Sequence, residues 1–258
     1  MSKISDVLIV GYPKSGNTWI TRLVAELIKC PVSGFLGSDH REIAEEGKER
    51  ISNFRCLKSH HQLKELQEFD ISTKKIIYVL RDPRDIAISG AHYFEIHKYD
   101  FLRKIFFKTK LTRIVYNRII NPWFIKFRIK VMVNAIIYGA KEVQEWLKVS
   151  WKNHYLPFLE NKYLIVRYED MLKEPLNECK SILNYIGVHR TEKEIKKAIY
   201  NQSFNVKKKF FIQNNKRGDA NFLRAGKSKQ WERGLSQKQK DLFIKFLGQE
   251  LRSNGYHE

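Results

Sequence analysis

The sequence predicts a three-layer α/β fold, a parallel sheet flanked by helices, in a single domain over residues 1–258. Three observations carry that prediction. Short β-branched and aliphatic runs at 7–10, 76–80 and 163–167 alternate with stretches of helical periodicity. The runs are apolar throughout rather than at every second position, as in strands buried on both faces of a parallel sheet. No Pro/Gly/Ser-rich linker divides the chain, which is long enough for one substantial core.

The first run, Val7-Leu8-Ile9-Val10, ends at Gly11 and is followed by the small polar loop Tyr12-Pro13-Lys14-Ser15-Gly16-Asn17-Thr18. From Trp19 onward, Ile20, Leu23, Val24 and Leu27 recur at helical spacing. Strand, tight loop and helix make the amide N–H groups of the loop and of the first helical turn converge on one point. That point is an anion site suited to phosphate, and the fold is to this extent P-loop-like. Lys14 lies inside the loop, within reach of the same anion. The nucleotide-triphosphatase signature sets lysine directly after its second glycine. Here Asn17 follows Gly16 and the lysine stands two residues before it, so the loop is not a standard ATP or GTP loop. Read alone, the segment is either a phosphate site or an ordinary strand-to-helix turn with an exposed lysine.

The run at 75–80 leads into Arg81-Asp82-Pro83-Arg84-Asp85, with Ser89 about two turns further on. Pro83 suits a first helical turn, and the Asp82 carboxylate suits the cap before it. Arg81 brings a planar fork and Ser89 a short hydroxyl, two groups that can meet on one phosphate. The alternative is a surface ion pair between Arg81 and Asp85.

These two segments, with four others in order, resemble the sulfotransferases that use 3′-phosphoadenosine 5′-phosphosulfate (PAPS). Tyr12-Pro13-Lys14-Ser15-Gly16-Asn17-Thr18-Trp19 is similar to the family's 5′-phosphosulfate loop, and the segment from Arg81 through Ser89 to His92-Tyr93 to its 3′-phosphate motif. Lys58-Ser59-His60 resembles the strand end whose histidine is the general base, and Tyr168-Glu169-Asp170-Met171 the one whose tyrosine touches the adenosine. Gln202-Ser203-Phe204 and Arg224-Ala225-Gly226, followed by Trp231, resemble the segments that cover the adenine and the 3′-phosphate. The resemblance implies sulfuryl transfer from PAPS, with PAP as product and no metal, to a hydroxyl or amine of a small-molecule acceptor. It implies His60 as base, Lys14 at the departing oxygen and Lys58 on the transferring group, with Ser89, which meets the 3′-phosphate, also counted among the catalytic residues. Lys14, Ser15, Gly16, Asn17 and Thr18 would hold the 5′ side of the nucleotide, and Trp19 with Phe204 would sandwich the adenine. Arg81, Ser89, Tyr168, Gln202, Ser203, Phe204, Arg224, Ala225 and Gly226 would hold the rest. Ala225 stands where the family carries lysine, and Gln202 where it carries threonine. The family's C-terminal dimer signature is not recognisable, so the oligomeric state stays open.

Two other classes compete. A P-loop kinase of a nucleotide or small metabolite is opposed by the lysine offset and by Arg81 where a magnesium-binding acid would stand. A polyanion-binding module fits the net charge of +20 but leaves the ordered motifs unexplained. Dedicated nucleic-acid binding is not expected, as no RNA- or DNA-binding signature is present. Cys30, Cys56 and Cys179 form neither a disulfide framework nor a metal knuckle. Six residues precede the first strand, too few for a leader, and the expected location is cytoplasmic.

Residues 95–141 are expected to form a basic helical insertion, with 101–141 holding ten Lys or Arg residues and no Asp or Glu. Asn121-Pro122 should break it into two helices. Three readings stand: a lid over the acceptor, contact with an anionic surface, or a solvated structural face. A further helix is expected between 138 and 151, and a nucleotide-covering loop over 207–217.

Overall fold

The computed structural model describes residues 5–37, 46–47, 49–71, 74–94, 109, 112, 121–214 and 226–256, with the side chains of 121 and 122 outside that set. Five strands, β1 (Ser5–Val10), β2 (Val32–Phe35), β3 (Phe54–Ser59), β4 (Lys75–Leu80) and β5 (Leu164–Arg167), form one parallel sheet in the order β2-β3-β1-β4-β5. The longer helices are α1 (Asn17–Leu27), α3 (Pro83–Tyr93), α4 (Asn121–Tyr138), α5 (Trp151–Glu160), α7 (Pro175–Ile186), α8 (Glu192–Asn201), α9 (Phe204–Gln213) and α11 (Gln237–Ser253). Shorter ones are α2 (Leu63–Leu66), α6 (Tyr168–Lys173) and α10 (Trp231–Gly234). The chain packs as two compact units, residues 1–81 with 154–228 and residues 82–153 with 229–258.

The sheet lies wholly in the first unit. Val7, Ile9, Cys56, Ile77, Val79 and Val166 share one core cluster with Ile20, Leu23, Val24 and Leu27 of α1 and with Ile182, Leu183, Ile195 and Ala198 of α7 and α8. The i, i+3, i+4, i+7 spacing of the α1 residues is the stripe the sequence shows, and burying each such side chain stabilises by roughly 1.5–3 kcal/mol. On the intervening positions, Tyr78 packs against Phe158 with ring centroids 4.7 Å apart. Burial from both sides explains the uninterrupted apolar runs.

Register sets the site. Val10 pairs with Ser59 on one side and Tyr78 on the other, and Leu80 pairs with Arg167. The residues just past those ends, Gly11, His60, Arg81 and Tyr168, therefore leave the sheet along one edge. Chain order reverses around β1, the position at which open parallel sheets offer a crevice at their carboxyl ends.

In the second unit Asp82 caps α3 as expected, its Oδ1 accepting the Arg84 N–H at 2.9 Å. A Cβ on Gly90 would come within 2.4 Å of the Met132 side chain, so α3 and α4 approach closely at that glycine. Asp85 is buried and accepts the backbone N–H groups of Lys229 (2.8 Å) and Trp231 (3.0 Å), which rules out the alternative of a surface ion pair.

Some expectations need correction. No helix joins 138 to 151: Gly139 takes φ +83° and ends α4, and the chain turns through a short 3-10 segment, Glu145–Leu147, before α5. Within 207–217, Lys207 to Gln213 belong to α9, whose Phe211 is buried beneath the Arg22 guanidinium at 4.9 Å. Strand β2, Val-Ser-Gly-Phe, is too short and too broken by Gly34 to be read from the sequence. Helix α4 begins at the expected Asn121-Pro122 break, whereas 95–120 lie outside the described residues except for Thr109 and Thr112.

Candidate active site

The loop after β1 is shaped by two left-handed residues, Lys14 at φ +71° and Gly16 at φ +101°, on either side of Ser15. The Ser15 N–H donates to the Tyr12 carbonyl at 3.1 Å, closing the turn. A lysine held at positive φ is a strained backbone position of the kind kept at binding sites. Gly16 is the N-cap of α1, and no side chain caps the helix there, so its first N–H groups remain available to an anion. The Ser15 hydroxyl is fully buried and has no hydrogen-bond partner among the described residues. A buried hydroxyl left with hydrogen-bonding capacity beside an uncapped helix start fits a phosphate.

Gly11 and Gly16 are required by close approach. A Cβ on Gly11 would meet the Val79 carbonyl at 2.6 Å, and one on Gly16 would meet the Tyr168 ring at 2.6 Å. Beside Gly11, the Asn17 carboxamide donates to the carbonyls of Gly11 and Ser59, both at 3.1 Å, and so stitches the ends of β1 and β3 together.

His60 stands on that seam. Its Nδ1 lies 2.7 Å from the Gly11 carbonyl oxygen. A carbonyl only accepts, so Nδ1 carries the proton and Nε2 keeps its lone pair; the network assigns this tautomer. Burial, then the nearby Lys58 ammonium, hold the imidazole well below the usual histidine range, so it is neutral near pH 7. The neighbouring His61 is engaged locally: Ser59 Oγ lies 2.8 Å from its Nδ1 and accepts its backbone N–H at 3.0 Å. Lys58 is buried, with Nζ 5.4 Å from the centre of the Phe35 ring.

Arg81 ties the loop to the following segments. Its guanidinium donates to the carbonyls of Lys14 (3.0 Å) and Lys227 (3.2 Å) and lies 4.2 Å over the Tyr168 ring. Trp19 meets Tyr168 edge-on at 5.6 Å and donates its indole N–H to the Gln202 carbonyl at 2.9 Å. The Gln202 amide is held by Glu46 (2.5 Å) and Glu26 (3.5 Å), so this residue braces Trp19 through its backbone. Phe204 opens α9 after Ser203 and packs on Gly226, where a Cβ would approach its ring to 2.5 Å. Thr18 is half-buried in the first turn of α1.

Lys14, Ser15, Gly16, Asn17, Thr18, Trp19, Lys58, His60, Arg81, Tyr168, Gln202, Ser203, Phe204 and Gly226 thus belong to the first unit. Ser89 belongs to the second, on α3. Arg224 and Ala225 lie outside the described residues. Among the described residues no group of His, Cys, Asp and Glu is arranged to hold a metal ion.

Two features escape sequence reasoning. His154, in α5, donates from Nε2 to the His60 carbonyl at 2.9 Å and accepts the Tyr78 hydroxyl at Nδ1 at 2.8 Å. Burial pushes its pKa down to about 4. A lone histidine between Trp151 and Phe158 gives no signal in sequence. Likewise Glu26 gathers Asn201 (3.0 Å) and Arg50 (2.5 Å) across long separations that no local pattern reveals.

The sulfotransferase domain model matches residues 4–255. Sulfotransferase 1A1 of Bos taurus is 30% identical over 227 residues, 79% of this chain and 66% of that protein. Sulfotransferase 2A2 of Rattus norvegicus is 23% identical over 269 residues, 96% of this chain and 85% of that protein. The crystal structure of mouse sulfotransferase SULT7A1 complexed with PAP shares the fold, with a TM-score of 0.64, 20% identity and coverage of 96% of this chain and 85% of that one. The domain match takes in nearly every residue from β1 to the end of α11, and the chain belongs to the sulfotransferase family, enzymes whose sulfuryl donor is PAPS.

Proposed function

We propose that this chain transfers the sulfuryl group of PAPS to a hydroxyl or amine of a small-molecule acceptor, in line, with His60 as general base. The observation that carries the reading is the His60–Gly11 contact of 2.7 Å, which leaves Nε2 as the proton acceptor at the end of the phosphate loop. His60 Nε2 takes the acceptor's proton as the new bond to sulfur forms. Lys14, next to the uncapped start of α1, stabilises the 5′-phosphate oxygen from which sulfur departs. Lys58 neutralises charge on the transferring oxygens, the larger part of such catalysis being electrostatic. Ser15, Gly16, Asn17 and Thr18 hold the 5′-phosphate, and Trp19 with Phe204 offers aromatic faces to the adenine. Arg81, Ser89, Arg224 and Gly226 serve the 3′-phosphate, and Tyr168 the adenosine. The donor leaves as PAP, and no metal is needed.

Residues 1–258 are read as one sulfotransferase domain with an insertion at 95–141 that acts as an acceptor lid. The packing of α4 against α3, the helix that carries Ser89, supports that reading. A second reading, contact with an anionic surface, is favoured by the outward stripe Trp123, Lys126, Phe127 and Lys130 on α4, with Trp123 80% exposed. The reading includes a cytoplasmic location, which the resemblance to cytosolic members supports. Among the described residues no helix is long and apolar enough to cross a membrane.

The test is a panel of phenols, sterols, amines and sugars incubated with radiosulfur-labelled PAPS and purified protein. Label on one compound class supports the reading. Thermal stabilisation by ATP with magnesium but not by PAP would favour the kinase alternative.

A further inference from the structure

We propose that His154, held by Tyr78, is a positioning residue for His60. The inference rests on the reading of His60 as the base. Strand β3 ends at Ser59, so the His60 carbonyl lies beyond the last ladder position and takes its hydrogen bond from the His154 Nε2–H at 2.9 Å. Because Nε2 carries that proton, the Nδ1 of neutral His154 accepts, and the Tyr78 O–H donates to it at 2.8 Å. The His154 ring is only 1% exposed and is enclosed by Tyr12 at 5.5 Å, Tyr78 at 5.7 Å and Phe158 at 6.1 Å between ring centroids. It has neither room to turn nor a second tautomer that keeps both bonds.

His60 is therefore clamped twice. Gly11 fixes the imidazole through Nδ1, and His154 fixes the peptide plane from which the side chain springs. Losing the second clamp lets the His60 carbonyl rotate and carries Nε2 away from the line of proton transfer. A misplacement of about 1 Å in a reacting group lowers turnover about 100-fold. Tyr78 lies on β4, so the chain of contacts runs from the sheet core through α5 to the base. His154 touches no reacting atom in this scheme and acts through His60 alone.

The experiment measures kcat, acceptor KM, PAP affinity and Tm on the full chain for His154→Phe, His154→Gln, Tyr78→Phe and His60→Ala. His154→Phe should lower kcat about 10- to 100-fold with PAP affinity within about two-fold of wild type. His154→Gln, whose amide N–H can reach the same carbonyl, should recover most of that loss. Tyr78→Phe, which removes one hydroxyl and keeps the ring packing, should lower kcat about three-fold and serves if His154→Phe fails to fold. The double variant His60→Ala/His154→Phe should turn over no more slowly than His60→Ala, since both act at one step. A folded His154→Phe with wild-type kcat, a Gln variant as slow as Phe, or additive losses in the double variant would overturn the positioning role. Retention of turnover by His60→Ala would instead overturn the base reading beneath it.

Discussion

The Nδ1 of His60 donates to the carbonyl oxygen of Gly11 across 2.7 Å, joining the end of β3 to the first residue of the phosphate loop. The proposed base and the proposed 5′-phosphate loop thereby share one backbone residue, and Asn17 donates to the same carbonyl. His60→Ala should lower kcat by about 10²- to 10⁴-fold with PAP affinity nearly unchanged, the range typical of a lost general base. His61→Ala should be mild, because that ring is engaged with Ser59 and packs on Phe69 at 5.3 Å. Steady-state kinetics with calorimetric PAP titration checks both. A mild His60→Ala would remove the assignment.

The pH dependence has a fixed sign. Burial first and Lys58 second keep His60 neutral below the ordinary histidine pKa, so the acidic limb of kcat/KM should lie below about pH 6.5. Lys58→Met should move that limb upward. For stability, His154 has a folded pKa of about 4 against about 6.5 unfolded, so the unfolded chain binds more protons between those values. Its contribution is complete above about pH 6.5, weakens as pH falls and levels off below about 4, by about 3 kcal/mol in all. Urea titrations of wild type and His154→Gln across that window measure the difference, and equal slopes would contradict it.

The two ends of the nucleotide should separate by mutation. Arg81→Ala should weaken PAP by about 2–5 kcal/mol and adenosine 5′-monophosphate far less, the loss expected when a charged partner is removed from a buried pair. Ser89→Ala should discriminate in the same direction with a smaller loss. Lys14→Ala should act chiefly on kcat, because its best interaction is with charge that develops during transfer. Arg81 also donates to the Lys14 carbonyl, so some loss of kcat should accompany its removal. Equal losses for both nucleotides in calorimetry would end this division.

Much of this site can be read directly from the residues, and the reasons are local. Gly11, Gly16 and Lys14 announce themselves because a tight loop before a helix restricts which residues fit, and Asp82-Pro83 marks a helix start by capping chemistry alone. Their neighbours in sequence are their neighbours in space. His154 and Gln202 are different: their partners, the His60 carbonyl and the Trp19 indole, lie 94 and 183 residues away, and no periodicity encodes such pairings. Helix α9 reads as a loop because its lysines obscure a single buried Phe211, and the turn after α4 escapes the sequence because nothing beside Gly139 marks it as the left-handed residue that ends a helix.

The face of α4 separates lid from anchor. If the insertion covers the acceptor, deleting residues 101–131 behind a short Gly/Ser bridge should change acceptor KM and leave PAP affinity within a few-fold. If it meets an anionic surface, Trp123→Ala with Lys126→Gln and Lys130→Gln should abolish sedimentation with phosphatidylserine vesicles and leave soluble-acceptor kinetics intact. No effect in either assay would leave α4 a structural helix.

If sulfuryl passes from PAPS to an acceptor with His60 as base, two labels in one assay separate it from phosphoryl transfer. The most direct measurement supplies wild type and His60→Ala with radiosulfur-labelled PAPS and radiophosphorus-labelled ATP with magnesium, over one pooled set of hydroxyl and amine acceptors. Wild type should place radiosulfur, and no radiophosphorus, on an acceptor, and His60→Ala should place neither label. Radiophosphorus on the acceptor, or undiminished radiosulfur transfer by His60→Ala, would contradict this reading.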